Sequence, residues 1–467
     1  MSVLTLDLGT STTKAALWSG DELVGLVRVP IPTRHPAPRR AEQDPRDWWR
    51  AVVEACAALQ AATPDGYARV RAVGCSAARE TFAGFDRQLE PVSPGILWSD
   101  TRAGDELKTL GDPARFRERT GVILSAGCAA AKVAWVRRHE PRWFEEAAWL
   151  LAPRDFVVAR LTGQPHSEPT LASRTGFYTL DGSFLGDAAL GRRLPPLIPS
   201  VQSTPIARPD QLGLPAGSVA ILGAGDRACE AVGVGASVRA PMVSWGTTVN
   251  VSVPTPGPVA TLPHRAQVSR GVGDGFLLEA GLSAAGAALE WLGSLTGSTG
   301  ASLVHAAAAV APGADGLLAF PWLQGARAPW WQPAVYGAFI GLTSAHGPAE
   351  LARALIEGVA FDTARSVEQL APDAHALQLA GAGATEALWR SILAAVARRS
   401  VVSRRHSDAA SVGARLIVGQ ARAEPMDLDR LNPVIAVEAP SAELVQAYQP
   451  VRRSADAVAS RLLANDA

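Results

Sequence analysis

The sequence predicts an α/β protein of two related halves. Three observations point there. At 467 residues the chain is too long for one hydrophobic core, so two domains are the default. A strand, a Gly/Thr turn and a second strand occur near the N-terminus and recur at residues 241–253. In both halves short apolar runs alternate with longer helical patterns.

The elements follow in order. Residues 3–6 and 15–18 are the arms of a β-hairpin with Gly9 in its turn. Residues 47–62 form a helix with Asp44 or Asp47 near its start. Residues 70–75 read as a buried strand, and 133–138 sit in a basic amphipathic helix. A strand at 219–222 runs into Gly223-Ala224-Gly225-Asp226. The proline-rich stretch 30–38 and the segment 193–209 read as loops. The restart at Pro241 puts the domain boundary between 236 and 241, dividing the chain into 1–237 and 238–467. Helices are expected at 284–295, 349–370 and 386–398 in the second half.

Composition narrows the function. Hydrophobic residues are 48% and charged residues 19%, as in soluble globular proteins. Lys+Arg and Asp+Glu are both 44, so no basic excess points to nucleic acid or an anionic membrane. No apolar run is long enough to span a bilayer. The N-terminus lacks the basic start and apolar core of a signal peptide. Cys56, Cys75, Cys128 and Cys229 are scattered, which fits neither a zinc site nor a disulfide framework. A cytoplasmic setting is expected.

The chemistry concentrates in four places. Asp7-Leu8-Gly9-Thr10-Ser11-Thr12-Thr13-Lys14 combines a glycine that lets backbone approach a phosphate with hydroxyl and amide donors. Asp7 could hold Mg²⁺ through water, since that ion uses few protein ligands. A plain polar hairpin turn would look the same. Ser244-Trp245-Gly246-Thr247-Thr248 offers a second turn of this kind, and a nucleotide held between two lobes needs two. Gly381-Ala382-Gly383-Ala384 follows an apolar run, so it is either a tight strand-to-helix turn or a surface for a flat adenine. Asp226, after a buried strand and beside glycines, is either a helix cap or a carboxylate that accepts a hydroxyl proton.

Together these pieces resemble the FGGY carbohydrate kinases, a branch of the actin-like (ribonuclease H-like) ATPases, over nearly the whole chain. The most specific stretch runs from Gly337-Ala-Phe-Ile-Gly341-Leu342 through Glu350-Leu351 to Glu357-Gly358. Gly127-Cys-Ala-Ala-Ala-Lys132-Val-Ala-Trp135 nearly matches a second signature, with Ala129 the departure. Gly325-Ala-Arg327-Ala-Pro329 and Leu289-Glu290-Trp291-Leu292 are further landmarks. The resemblance implies a two-domain α/β fold with a cleft between its lobes, ATP and Mg²⁺ as cofactors and a small sugar or polyol as substrate. By analogy it also implies a homodimer. Carried over by position, Asp7 assists the metal. Gly9, Thr10, Ser11, Thr12, Thr13 and Lys14, with Gly246, Thr247 and Thr248, hold ATP phosphates. Gly381, Ala382, Gly383 and Ala384 line adenine, and Asp226 is the general base.

The substrate loop of that family falls on Arg79-Glu80-Thr81. It looks like the glycerol kinase string rather than the Gln-Met-His-Gly of xylulose kinases. Glu accepts from hydroxyls, Arg donates to oxygens, and Trp98 could form an apolar wall. Gly127 stands where glycerol kinases have Tyr, and Arg227 where they have Gln. A larger pocket with an added guanidinium suits a ketopentose first, with a tetritol, pentitol or sugar acid behind it. The alternatives are a glycerol- or erythritol-type polyol kinase and a nucleotide-switched protein of the same superfold without kinase activity.

Overall fold

The computed structural model describes residues 2–257, 266–282, 284–424 and 426–464. Its N-terminal sheet contains β1 (Ser2–Leu8), β2 (Thr12–Ser19), β3 (Glu22–Pro30), β4 (Val70–Ala77), β5 (Ser203–Pro205) and β6 (Val219–Gly225). Their spatial order is β3-β2-β1-β4-β6-β5. The C-terminal sheet contains β7 (Met242–Trp245), β8 (Val249–Thr255), β9 (Gln267–Arg270), β10 (Phe276–Leu282), β11 (Ala376–Ala380), β12 (Ser400–Arg404) and β13 (Val434–Glu438). Here the order is β9-β10-β8-β7-β11-β12-β13. The series β3-β2-β1-β4-β6 and β10-β8-β7-β11-β12 share one plan. Each is an antiparallel three-strand unit continued by two parallel strands. The two halves are therefore related in fold as the sequence predicts.

Both faces of β1 are covered, and its side chains alternate between them. Leu4, Leu6 and Leu8 enter a core with Trp48, Val52 and Leu59 of α1 (Pro45–Ala62). Val3 packs on the other side with Trp18, Val412 and Ile417. That second face belongs to α7 (Ala409–Ala421), a helix contributed by the C-terminal half. Reciprocally α3 (Asp226–Val234), which follows β6, places Ala231 and Val234 against Met242 and Ala380 of the C-terminal sheet. The two helices cross closely through glycines. A Cβ on Gly413 would sit 1.8 Å from the Cys229 carbonyl oxygen, and one on Gly233 would sit 2.0 Å from that of Ala409. Gly74 of β4 makes room for α7 in the same way, with Val418 2.4 Å from a Cβ there.

The remaining helices used below are α2 (Ala129–His139), α4 (Gly286–Thr296), α5 (Pro348–Leu370) and α6 (Ala387–Ala397). Helices α4, α5 and α6 fall where the apolar patterns put them, within two residues at each end, and α2 begins four residues before the predicted 133–138. Asp44 is the cap of α1, its carboxylate accepting from the Arg46 amide. Three features differ from the sequence reading. The N-terminal hairpin continues into a third strand, β3, whose side chains are largely half-buried and so carry no strong apolar signal. Helix α2 is not amphipathic, because Ala129 to Val133 are all buried. Segment 193–209 is not wholly loop, since it supplies edge strand β5.

The helix crossing yields the first prediction. Gly413→Ala should lower unfolding free energy by about 1–3 kcal/mol through overpacking. Gly104→Ala, where nothing lies within 4 Å of a new Cβ and φ is −63°, should change it by less than about 0.5 kcal/mol. Urea unfolding of both variants reads the difference; equal stabilities would show that the helices separate without cost.

Candidate active site

Strand register collects most of the predicted residues at one edge of each sheet. Leu8, Ala77 and Gly225 are aligned on neighbouring parallel strands β1, β4 and β6. The residues just beyond them are Gly9, the Arg79-Glu80 loop and Asp226. In the C-terminal sheet Ser244 is aligned with Ala380, which brings the Gly246 and Gly381 turns beside each other. These are carboxyl ends of parallel strands, the edge where open α/β sheets bind ligands.

In the first turn, Asp7 Oδ2 accepts from Lys14 Nζ at 3.0 Å. The same ammonium reaches Asp408 Oδ1, also at 3.0 Å, at the start of α7. Burial alone would lower the Lys14 pKa, but the two carboxylates more than offset it and hold it well above its ordinary value. Trp98 donates from Nε1 to the Thr10 hydroxyl at 2.8 Å, joining the proposed sugar wall to the turn. Gln43 fixes the turn by donating to the Thr10 carbonyl. Gly9, Thr10, Ser11 and Thr12 keep exposed or half-buried positions. Thr13 does not, because its side chain is fully buried within the sheet. Its place among the phosphate contacts is corrected accordingly.

In the second turn, the carbonyls of Gly246 and Thr247 accept from the amides of Gly286 and Ala285 at the start of α4. A Cβ at Gly286 would come within 2.9 Å of the Gly246 oxygen, so this docking needs glycine. Thr247 is exposed and Thr248 half-buried. The 381–384 turn lies on Trp245. A Cβ on Gly383 would be 2.9 Å from its ring, and Gly381, at φ +81°, has no room against its backbone. Ala382 is exposed, but Ala384 is buried and its carbonyl already accepts from Arg390 and Ser403. Ala384 therefore supports the turn rather than lining it.

Asp226 opens α3, and its Oδ1 accepts from the Arg227 amide at 2.7 Å. Arg79 Nε lies 3.1 Å from the same oxygen. The rest of the Arg79 guanidinium makes a two-pronged pair with Glu279 of β10, at 2.6 and 2.7 Å. This pair joins the two lobes through residues 200 positions apart. It departs from the sequence reading, in which Arg79 donates to the substrate. Its fork is committed to Glu279, and its remaining edge steadies Asp226. Burial would raise the Glu279 pKa; the Arg79 charge and hydrogen bonds, with Ser269 as a further donor, reverse this and leave it at about 2. Arg227 stands beside Asp226 on the same helix. Its Nη1 bonds Glu230 and the Ser244 hydroxyl, both at 2.7 Å, which ties α3 to β7.

Glu80 adopts a left-handed backbone, φ +61°. Lys132, fully buried in α2, donates to the carbonyls of Glu80 and Leu97 at 2.7 and 2.8 Å. It thus fixes the sugar loop and the residue before Trp98 together. Burial brings its pKa down to about 8, against the pull of Glu80. The Glu80 carboxylate accepts from Arg174 Nη2 at 3.1 Å.

Asp408, Glu279 and Arg174 were not singled out by sequence. Glu279 had a readable signal, a lone charge inside the apolar run Phe276–Leu282. Arg174 had none. Lys132 and Arg327 stand in family-like stretches without a role attached.

Comparison with known proteins gives this arrangement its class: the chain is a two-lobed carbohydrate kinase. It belongs to the FGGY family of carbohydrate kinases, whose N-terminal domain matches residues 2–233 and whose C-terminal domain matches 242–421. Such enzymes transfer a phosphoryl group from ATP to a sugar hydroxyl. It is 33% identical over 408 residues to a xylulose kinase of Klebsiella pneumoniae, covering 83% of each chain. A glycerol kinase of Methylobacterium nodulans is 32% identical over 392 residues, covering 78% of this chain and 76% of its own. The crystal structure of xylulose kinase from Rhodospirillum rubrum superposes with a TM-score of 0.87 at 25% identity, covering 99% of both chains.

The interlobe pair gives a pH prediction. A carboxylate whose folded pKa is depressed stabilises above its unfolded value, 4.5 for Glu279. It loses that contribution as pH falls toward about 2. Glu279→Gln should cost about 3–5 kcal/mol at neutral pH by leaving Arg79 buried with a broken pair. It should also lose less stability than the parent between pH 4.5 and 2. Urea unfolding across that range is the measurement, and parallel pH profiles would contradict it.

Proposed function

We propose that the chain phosphorylates a hydroxyl of a ketopentose with ATP, Asp226 acting as the general base. One observation carries the assignment of the base: Asp226 stands at the carboxyl edge shared with the Gly9 turn, its carboxylate steadied by Arg79 and its helix tied to β7 beside Gly246. The xylulose kinase relative supports a ketopentose. The glycerol kinase relative and the Arg79-Glu80-Thr81 string support a polyol as the second reading. Family matches that end at 233 and resume at 242 support a division of the chain at 237/238.

In this reading Gly9 to Thr12 and Gly246 to Thr248 hold the phosphates from opposite lobes. Lys14, shared between Asp7 and Asp408, adds positive charge at the first turn. Ala382 and the adjoining glycines offer a flat surface to adenine. Asp7 fits a Mg²⁺ role, because Lys14 takes only its Oδ2 and that ion needs one or two carboxylates besides water and phosphate. When bound, the ion would neutralise phosphate charge. The protein's part is positioning and proton transfer: Trp98 and Glu80 orient the sugar, and Asp226 accepts the hydroxyl proton as the phosphoryl group moves in line. Closed lobes keep water from competing as acceptor.

The test is sugar-dependent ADP formation across ketoses, polyols and aldonates. Asp226→Asn should lower kcat about 10²- to 10⁴-fold while circular dichroism and the melting temperature stay near the parent's. Near-normal turnover would remove Asp226 from the base role. ADP formation without a phosphorylated sugar would favour the nucleotide-switched alternative.

A further inference from the structure

Guanidinium groups donate hydrogen bonds and cannot accept them, so each one around the sugar loop can be asked where its donors go. Arg79 is taken by Glu279 and Asp226, and the Nη1 of Arg227 by Glu230 and Ser244. Two more arginines approach Glu80. Arg174 follows the short helix Pro169–Ala172. It is 4% exposed. Only its Nη2 has an acceptor, the Glu80 carboxylate. Its Nε and Nη1 are buried without any partner among the described residues. Arg327 comes from the other lobe. It stacks on Trp331, 5.5 Å from the ring centre, and its guanidinium makes no hydrogen bond among the described residues. Burial pulls its pKa down; Glu80 pulls it up and Arg174 down, so the three groups share one electrostatic neighbourhood.

The C-terminal sheet is shaped to admit Arg327. Glu279 and Gly281 lie two apart on β10 and so share a face. A Cβ at Gly281 would come 3.4 Å from Arg327 Nη2, so glycine leaves the guanidinium its space. One face thus carries Glu279, which anchors Arg79, and the gap that seats Arg327. Unpaired buried donors are costly. The two on Arg174 border Glu80, the residue proposed to read substrate hydroxyls.

We infer that Arg174 and Arg327 form a two-arginine subsite, one guanidinium from each lobe, that holds an acceptor-only oxygen of the substrate: a ketose carbonyl or a sugar-acid carboxylate. This rests on the kinase reading above. It adds to the sequence-predicted Arg227 two residues that neighbour Glu80. A polyol meets such a subsite only with hydroxyls, whose protons then compete for acceptors the guanidinium groups cannot supply. Because the subsite joins lobes, an oxygen bound there also favours their closed arrangement.

The experiment compares three five-carbon substrates of matched stereochemistry: a ketopentose, its pentitol and its aldonate. The parent enzyme should prefer the ketopentose or the aldonate over the pentitol by about tenfold or more in kcat/KM. Whichever is preferred identifies the oxygen as carbonyl or carboxylate. Arg327→Gln should lower kcat/KM on that substrate about 10- to 100-fold, mostly through KM, and change the pentitol value less than about threefold. Arg327→Lys should recover part of the loss. Arg174→Lys, which retains charge in a buried position, should act in the same direction. Thermal shift without ATP separates the two readings. Protection by ketose or aldonate that Arg327→Gln abolishes supports the subsite even if no sugar is turned over, and absent turnover would then count against the kinase assignment alone. Turnover of the pentitol as good as that of the others, or equal losses on all three substrates in Arg327→Gln, overturns the subsite and leaves the kinase assignment standing.

Discussion

The architecture depends on one close crossing, that of α3 and α7. Each helix leaves the sheet that precedes it in sequence and packs on, or toward, the other lobe. Val412, Ile417 and Val418 of α7 complete the core beneath β1 and β4, while Ala231 and Val234 of α3 sit beneath β7 and β11. Gly233 and Gly413 set the separation, because backbone meets backbone where a methyl group would otherwise stand. The functional ends of both helices follow from this. Asp226 begins α3 and Asp408 precedes α7, so the crossing that joins the lobes also aims two carboxylates at the edge where the strands end. Only rigid elements can hold groups to the tolerance that phosphoryl transfer demands.

Charge organisation then divides labour among the arginines. The Arg79–Glu279 pair is buried and two-pronged, the geometry in which Coulomb attraction and hydrogen bonding best offset desolvation. Its value here is orientation: with the fork fixed on Glu279, the Nε edge is left for Asp226. Arg227 does a similar service on the other flank by joining Glu230 to Ser244. Both arginines thus help to hold Asp226 and the helix it begins.

Much of this was legible in the sequence because it is written in local patterns. Alternating or continuous apolar runs mark β1, β4 and β6, and glycine turns after strands mark the nucleotide edge. The same Asp-x-Gly-Thr and Gly-Thr-Thr strings that suggested two phosphate loops do sit at equivalent places in two equivalent sheets. Edge strands β3 and β5 were hidden, since half-buried or very short strands leave little periodicity. Within the site, strings gave positions but not directions. Thr13 reads as another hydroxyl in a polar turn, yet strand alternation turns it into the sheet. Ala384 reads as part of a small-residue surface, yet it is the residue on which the turn rests. Partners far apart in the chain were hidden for the same reason: no local rule links Arg79 to Glu279.

A polar residue in an apolar run is where sequence and site meet most directly. In Phe276–Leu282 the Glu279 carboxylate faces a face-sharing gap at Gly281. Taken as strand propensity, both are defects, one a buried charge and the other a missing side chain. Taken against the opposite lobe, they are complementary, since the charge receives Arg79 and the gap receives Arg327. A strand that needed only to be stable would carry two hydrophobic residues there. This one carries neither, because at the contact between lobes the carboxylate pairs with Arg79 and the glycine leaves Arg327 its space.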